Sequence, residues 1–125
     1  MLSEAPVAPA LPASDLARAR AFYEQTLELS VVEENPGGVT FKCGEGTALF
    51  VYPSDFAGTN KATAAAFRVD DLDAVMSRLR ERGVVFEDYD LPELKTVDGV
   101  ATFGDSRGSF FTDSEGNIIG LAQMG

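Results

Sequence analysis

The chain contains one local pattern twice, and this internal repeat limits what it can fold into. Residues 11–16 read as a strand that leads into a polar capping residue, and residues 17–34 then read as an amphipathic helix and a second strand. The same order returns at residues 67–72 and 73–87. Each copy predicts a strand, a capped helix and a returning strand, so we expect two similar modules in one α+β fold.

Turn signals and alternating hydrophobicity complete each module as a βαβββ unit. The predicted helices run from a cap at Ser14 or Asp15 to about residue 26, and from a cap at Asp70 or Asp71 to Gly83. The predicted strands cover residues 6–13, 29–34, 39–43 and 47–52 in the first module, and residues 62–69, 84–88, 99–103, 109–112 and 118–123 in the second. Residues 44–46 predict a tight hairpin, and residues 90–97 a longer loop.

The length of 125 residues predicts a single domain that spans residues 1–125. Its first module covers about residues 6–52 and its second about residues 62–123. Residues 53–61, which contain Ser, Asp, Gly and Asn, are the predicted linker. This linker is long enough for modules to be exchanged between two chains.

The charge balance excludes one large class of partner. Asp and Glu number 20, Lys and Arg number 10, and the formal net charge is −10. A chain with this charge repels phosphate backbones, so we expect no nucleic-acid binding. A neutral or cationic small molecule is compatible with the acidic surface, although we interpret that surface chiefly as a source of solubility.

Cysteine use and hydropathy predict a cytoplasmic protein. Cys43 is the single cysteine, so an internal disulfide cannot form, which fits a reducing compartment. Residues 1–13 lack the basic and apolar regions of a signal peptide. No apolar run reaches the roughly 18 to 20 residues that a membrane-spanning helix needs, so no membrane association is expected.

Three segments carry a family resemblance: residues 14–23 (SDLARARAFY), residues 67–72 (FRVDDL) and residues 111–119 (FTDSEGNII). Together they resemble the vicinal oxygen chelate superfamily, the glyoxalase, bleomycin-resistance and dioxygenase group. The resemblance implies two βαβββ modules that form a curved mixed sheet around a cup, and a homodimer. One departure is residues 27–29, Leu-Glu-Leu, where the family usually has Leu-Gly-Leu; Glu28 fits if the backbone there is not left-handed.

Enzymes of this superfamily usually hold a divalent metal ion in the cup with His and Glu side chains, two from each module. The repeat maps those positions onto Ala8, Phe50, Ala64 and Gly120. These residues offer two methyl groups, a benzyl group and a hydrogen, and the chain contains no His, so we expect no site of the usual kind.

A site made only of carboxylates is the alternative, because hard cations accept oxygen ligands. It would recruit loop residues from Asp88, Asp90, Glu93 and Asp98. Acidic runs of this kind are typical of solvated surfaces, so we predict no metal and no other cofactor.

Residues two apart on a strand share a face, so the four mapped positions predict the rest of the cup lining. The predicted ligand-binding residues are Ala8, Ala10, Phe41, Phe50, Tyr52, Ala64, Ala66, Arg68, Phe103, Phe110 (or its neighbour Phe111) and Gly120. The small side chains leave volume, and the aromatic rings can cover a flat or hydrophobic ligand. The alternative is that these residues fill a closed core.

These residues support three hypotheses. The first is a metal-independent protein that binds and sequesters a hydrophobic or cationic organic compound such as an antibiotic. The second is a metal-independent isomerase, epimerase or hydrolase, in which an unidentified carboxylate acts as the base and Tyr52 or Arg68 stabilises negative charge. The third is a dimeric remnant without a ligand.

Asp105, Arg107 and Ser109 are predicted in a solvated turn, with a loop that closes over the cup as the alternative.

Overall fold

The chain divides into two units, each built on one β-sheet and one α-helix. The computed structural model describes residues 1–125, and the two units are Met1–Ala57 and Gly58–Gly125. The boundary between them falls inside the segment predicted as a linker. None of the helices combines the length and the apolar character needed to cross a membrane.

The first unit follows the predicted βαβββ path. Its elements are β1 (Ala10–Ala13), α1 (Leu16–Ala21), β2 (Ser30–Asn35), β3 (Gly38–Lys42) and β4 (Ala48–Pro53), with short 3₁₀ turns at Leu2–Glu4 and Gly44–Gly46. The sheet order is β1-β4-β3-β2, in which β1 runs parallel to β4 and the other pairs are antiparallel. The first strand starts four residues later than predicted, because Pro6 and Pro9 cannot donate hydrogen bonds to a ladder.

The helix of the first unit begins at its predicted cap and ends in a π-helical turn. The Asp15 Oδ1 atom accepts a hydrogen bond from the Arg18 amide at 3.0 Å. After α1 the chain continues as a π-helix over Phe22–Thr26, where the Leu27 amide donates to the Phe22 carbonyl at 3.1 Å. The helical segment therefore ends close to the predicted residue.

Glu28, which follows this turn after Leu27, has a backbone conformation that residues with a Cβ atom disfavour. Glu28 has a φ angle of 61°, which lies in the left-handed region. The condition under which Glu28 was expected to fit, a backbone that is not left-handed, is therefore not met. A side chain with a Cβ atom is strained in this conformation, whereas glycine adopts it readily.

We expect Glu28→Gly to raise the free energy of unfolding by about 0.5 to 1 kcal/mol, because relief of the left-handed strain exceeds the added entropy of the unfolded chain. Urea denaturation followed by circular dichroism measures the change. Glu28→Ala is the matched control, since alanine keeps the Cβ atom and should give no gain. Equal or lower stability of the glycine variant would contradict the interpretation.

The second unit repeats the path with one insertion. Its elements are β5 (Thr63–Arg68), α2 (Leu72–Glu81), β6 (Asp90–Leu91), β7 (Leu94–Val97), β8 (Val100–Phe103), β9 (Ser106–Thr112) and β10 (Ile118–Gln123). The sheet order is β5-β10-β9-β8-β7-β6, with β5 parallel to β10. Asp71 caps α2 by accepting from the Ala74 amide at 3.1 Å, and Gly83, at φ 89°, follows its end as predicted.

Two predicted features of the second unit are wrong. Residues 84–88 do not form a strand, because only one bridge, between Phe86 and Phe111, is made there. The predicted loop at residues 90–97 is instead the hairpin of β6 and β7. Asp98 and Gly99, with φ angles of 53° and 81°, then join β7 to β8 in a two-residue turn. An Asp-Gly pair between apolar residues is a strong hairpin signal, and it could have predicted this pairing.

The Asp88 carboxylate fixes the inserted hairpin. Its Oδ1 atom accepts hydrogen bonds from the Thr96 hydroxyl at 2.6 Å and from the Gly99 amide at 2.8 Å. These bonds to the charged form lower the pKa of Asp88 below its ordinary value, with a smaller contribution from nearby Arg80. The carboxylate therefore attaches the end of β7 and the turn that follows it to the segment before β6.

The pKa of Asp88 is lower in the folded state than in the unfolded state. The contribution of this carboxylate to the free energy of unfolding is therefore complete above the unfolded pKa of about 4, and it disappears as the pH falls through the lowered folded pKa. We expect Asp88→Ala to accelerate hydrogen exchange severalfold at the Thr96 and Gly99 amides at neutral pH. Nuclear magnetic resonance measures these rates. Asp90→Ala is the control, and equal rates in the two variants would contradict the role of Asp88.

Asp105 lies in the predicted turn, whereas Arg107 and Ser109 belong to β9, which begins at Ser106, and not to a turn or a closing loop. The Arg107 Nη2 atom lies 3.0 Å from Asp73 Oδ2 on α2, and this guanidinium lowers the pKa of Asp73. Ser109 is fully buried, and its hydroxyl has no hydrogen-bond partner. The ion pair between Arg107 and Asp73 therefore links β9 to α2.

One face of each sheet is buried beneath its own helix. In the first unit the buried sheet residues are Leu11, Ala13, Val39, Phe41, Leu49 and Val51, together with Ala19 and Tyr23 from the helical segment. In the second unit they are Phe111, Ile119 and Leu121, together with Leu72, Met76 and Leu79 from α2. Burial of each large side chain contributes about 1.5 to 3 kcal/mol, so these faces carry most of the stability.

Candidate ligand-binding faces

The sheet face opposite the helix is the candidate functional surface of each unit, and we call it the open face. Strand alternation and pairing place Ala10, Pro12, Glu33, Thr40, Lys42, Ala48, Phe50 and Tyr52 on the open face of the first unit. They place Ala64, Ala66, Arg68, Ala101, Phe103, Gly108, Phe110, Gly120 and Ala122 on that of the second. Most of the predicted ligand-binding residues therefore share an open face within their own unit.

A stacked aromatic pair dominates the open face of the first unit. The Phe50 and Tyr52 rings have centroids 6.0 Å apart and planes inclined by 10°. Phe50 lies opposite Ala10 on one side and Thr40 on the other. Both rings are half-buried, so they offer an apolar surface that a flat ligand can stack on.

Gly38 makes room for the Phe50 ring. A Cβ atom at this position would lie 2.7 Å from Phe50 Cζ and 2.4 Å from the Val51 carbonyl oxygen. The φ angle of Gly38 is 149°, which also disfavours a larger residue. The position of the ring thus depends on a glycine in the neighbouring strand.

The open face of the second unit consists mostly of small side chains beside one cation. Gly120 lies between Ala66 on β5 and Phe110 on β9. Arg68 is exposed, and its register neighbour on β10 is Ala122. A Cβ atom at Gly120 would lie 3.4 Å from Thr63 Cγ2 and 3.5 Å from Ala66 Cβ, so the position accepts a methyl group in ordinary van der Waals contact.

Three predicted residues lie elsewhere. Phe41 is 0% exposed and contacts Tyr23 at a centroid distance of 5.4 Å, so it belongs to the core beneath α1. Of the neighbours Phe110 and Phe111, the second is buried on the helix side. Ala8 is exposed and precedes β1.

The residues at the mapped metal positions do not fit a divalent cation. The two units share one register, since Ala10 lies opposite Phe50 and Ala66 lies opposite Gly120. The side chains at the mapped positions contain no donor atom, and no group of three or more His, Cys, Asp or Glu residues is placed to hold a metal ion. The Asp88 carboxylate of the alternative site is already bonded to the β6–β7 hairpin. We therefore derive no chemistry from a metal ion.

The buried titratable groups have structural roles. Asp113 accepts hydrogen bonds from the Glu115 and Asn117 amides at 2.8 and 2.9 Å, which fixes the turn before β10. Burial raises the pKa of the Cys43 thiol, which disfavours the reactive thiolate. Neither the Asp113 carboxylate nor the Cys43 thiol is paired with a base that would activate it as a nucleophile.

A cleft of about 470 Å³ lies in the second unit beside the end of α2. Its polar lining is already engaged, because Arg80 Nη2 donates to the Asp98 carbonyl at 3.0 Å and the Arg80 guanidinium lies 5.2 Å from the Phe86 ring centre. These contacts attach the inserted hairpin to the helix. The open faces remain the better candidates for a ligand.

Two βαβββ units, each with a parallel first and last strand and one open sheet face, define a class of α+β proteins built by module duplication. Residues 6–121 match the Glyoxalase/Bleomycin resistance protein/Dioxygenase superfamily, and the chain belongs to this superfamily. The resemblance stated from the sequence motifs is confirmed at this level. No curated protein matches the chain significantly.

Solved structures show the same fold. TnmS3, an antibiotic binding protein from Streptomyces sp. CB03234, is 28% identical, with 93% of this chain and 92% of that chain covered and a TM-score of 0.69. A glyoxalase/bleomycin resistance protein from the same organism is 29% identical, with 91% and 96% covered and a TM-score of 0.64. Lactoylglutathione lyase from Agrobacterium tumefaciens is 23% identical, with 96% and 93% covered and a TM-score of 0.70.

Proposed function

We propose that this chain is a metal-independent small-molecule binding protein that sequesters a hydrophobic or cationic organic compound, such as an antibiotic, on its open sheet faces. The observation that carries the proposal is the stacked pair of Phe50 and Tyr52, half-buried on a face without donor atoms at the mapped metal positions. Aromatic surface of this kind stabilises a planar ligand through burial and stacking.

The open face of the second unit also supports the proposal. Its small residues Ala64, Ala66 and Gly120 leave space above the sheet, and Phe110 and Phe103 offer further aromatic surface. The net charge of −10 favours neutral or cationic compounds over anions. Similarity to an antibiotic binding protein at 28% identity supports the same class of ligand.

Three earlier expectations remain part of this proposal. The chain acts as a single domain, forms a homodimer, and functions in the cytoplasm. The family resemblance supports the first two, and the lone Cys43 is compatible with the third. The enzyme hypothesis gains no specific support, because the buried Asp113 and Glu115 lie in a hydrogen-bonded turn and not on an open face.

We expect planar antibiotics with apolar ring systems to raise the melting temperature, because a ligand that binds only the native state stabilises it. Phe50→Ala and Tyr52→Ala should each weaken binding about tenfold through the loss of stacking surface. Isothermal titration calorimetry measures the affinities. Phe56→Ala removes an exposed ring outside the strands and is the control. Equal affinities in all three variants would contradict a site at the aromatic pair.

We also expect the wild-type protein to retain no Zn²⁺, Mn²⁺, Ni²⁺ or Fe²⁺ after incubation and desalting, because the mapped positions lack donor atoms. Inductively coupled plasma mass spectrometry measures the metal content. A zinc-binding protein carried through the same incubation and desalting is the positive control. One equivalent of metal in the wild type would overturn metal independence.

A further inference from the structure

A β-bulge in the second strand turns one carboxylate onto the open face of the first unit. Val31 of β2 pairs with Phe41, and the next paired residue, Glu33, lies opposite Thr40, so Val32 is the extra residue. In a regular strand Val31 and Glu33 would share a face, because side chains alternate with a period of two. The bulge breaks this period, so Val31 faces the core while Glu33 faces the ligand side.

A neighbouring contact confirms the change of face. Glu34 pairs with Val39, which is buried beneath α1, and the Glu34 carboxylate forms an ion pair with Arg20 on that helix. Glu34 therefore lies on the helix side, and its neighbour Glu33 lies on the open side. The Glu33 carboxylate makes no hydrogen bond or ion pair, so its charge is available to a ligand.

The register places this carboxylate in the same row as Phe50, one member of the aromatic pair. Glu33 lies opposite Thr40, Thr40 lies opposite Phe50, and Phe50 lies opposite Ala10. Adjacent strands are about 4.8 Å apart, so the backbone at Glu33 is about 10 Å from that at Phe50. Thr40 places a hydroxyl group between the two.

Lys42 is the other charged residue on this face, and it lies in a different row. It pairs with Ser30 and Ala48, one row away from Glu33 and Phe50. The two charges form no ion pair with each other. A ligand group that extends from Phe50 along the row through Thr40 therefore meets the Glu33 carboxylate and not the Lys42 ammonium.

We propose that Glu33 is a specificity-determining residue that selects ligands in which a cationic amine extends toward β2 from the ring system that stacks on Phe50 and Tyr52, the backbone at Glu33 lying about 10 Å from that at Phe50. The inference rests on the proposed binding function and narrows its ligand class. Because Glu33 is exposed, the attraction is modest and is screened by salt.

Two related compounds test the inference: doxorubicin, whose planar ring system carries a cationic amino sugar, and N-acetyldoxorubicin, in which the amine is neutral. We expect Glu33→Gln to weaken doxorubicin binding about fivefold at low salt and to leave N-acetyldoxorubicin binding unchanged. Raising the salt concentration to about 0.5 M should reduce the difference. Fluorescence titration measures both affinities.

Glu34→Gln is the matched control, because it removes an adjacent charge from the opposite face and should leave both affinities unchanged. Glu33→Lys should reverse the preference, and thermal melting confirms that each variant is folded. If both compounds bind and Glu33→Gln weakens them equally or not at all, the inference is overturned while the proposed function stands. If neither compound binds the wild type, the proposal of a planar-compound binder fails, and the inference fails with it.

Discussion

Parallel pairing between the first and last strands of each unit is the constraint on which the rest of the structure depends. β1 pairs with β4 and β5 pairs with β10, and a parallel pair requires a crossover connection. α1 and α2 are the first elements of those crossovers, and each covers one face of its sheet. Strand alternation then assigns every residue either to a buried face, where it contributes stability, or to an open face, where it can contact a ligand.

Much of this arrangement follows from short-range signals in the sequence. The caps Asp15 and Asp71 and the alternating strands around them predict both βαβ segments, since each signal acts within a few residues. The inserted β6–β7 hairpin was missed because its segment contains Pro92 and many polar residues. The Asp88 carboxylate, which lies outside the hairpin, accepts hydrogen bonds from Thr96 and Gly99 and so helps to hold the hairpin in place.

The composition of the open faces was harder to predict, because it depends on register between strands. Alternation within one strand correctly grouped Phe50 with Tyr52, but it could not show that Phe41 lies opposite Leu49 on the buried face. The bulge at Val32 is a second case. It reverses the face of Glu33 relative to the simple period, and nothing in the local residues of β2 marks it.

The two open faces have different chemistry although their units share one register. Equivalent positions hold Phe50 in one unit and Gly120 in the other, so an aromatic ring in the first corresponds to a residue without a side chain in the second. The buried faces cannot diverge in this way, because loss of a large core side chain costs about 2 to 5 kcal/mol. Open-face residues carry little of the stability. A duplicated scaffold can therefore vary the residues of its open faces without changing its fold.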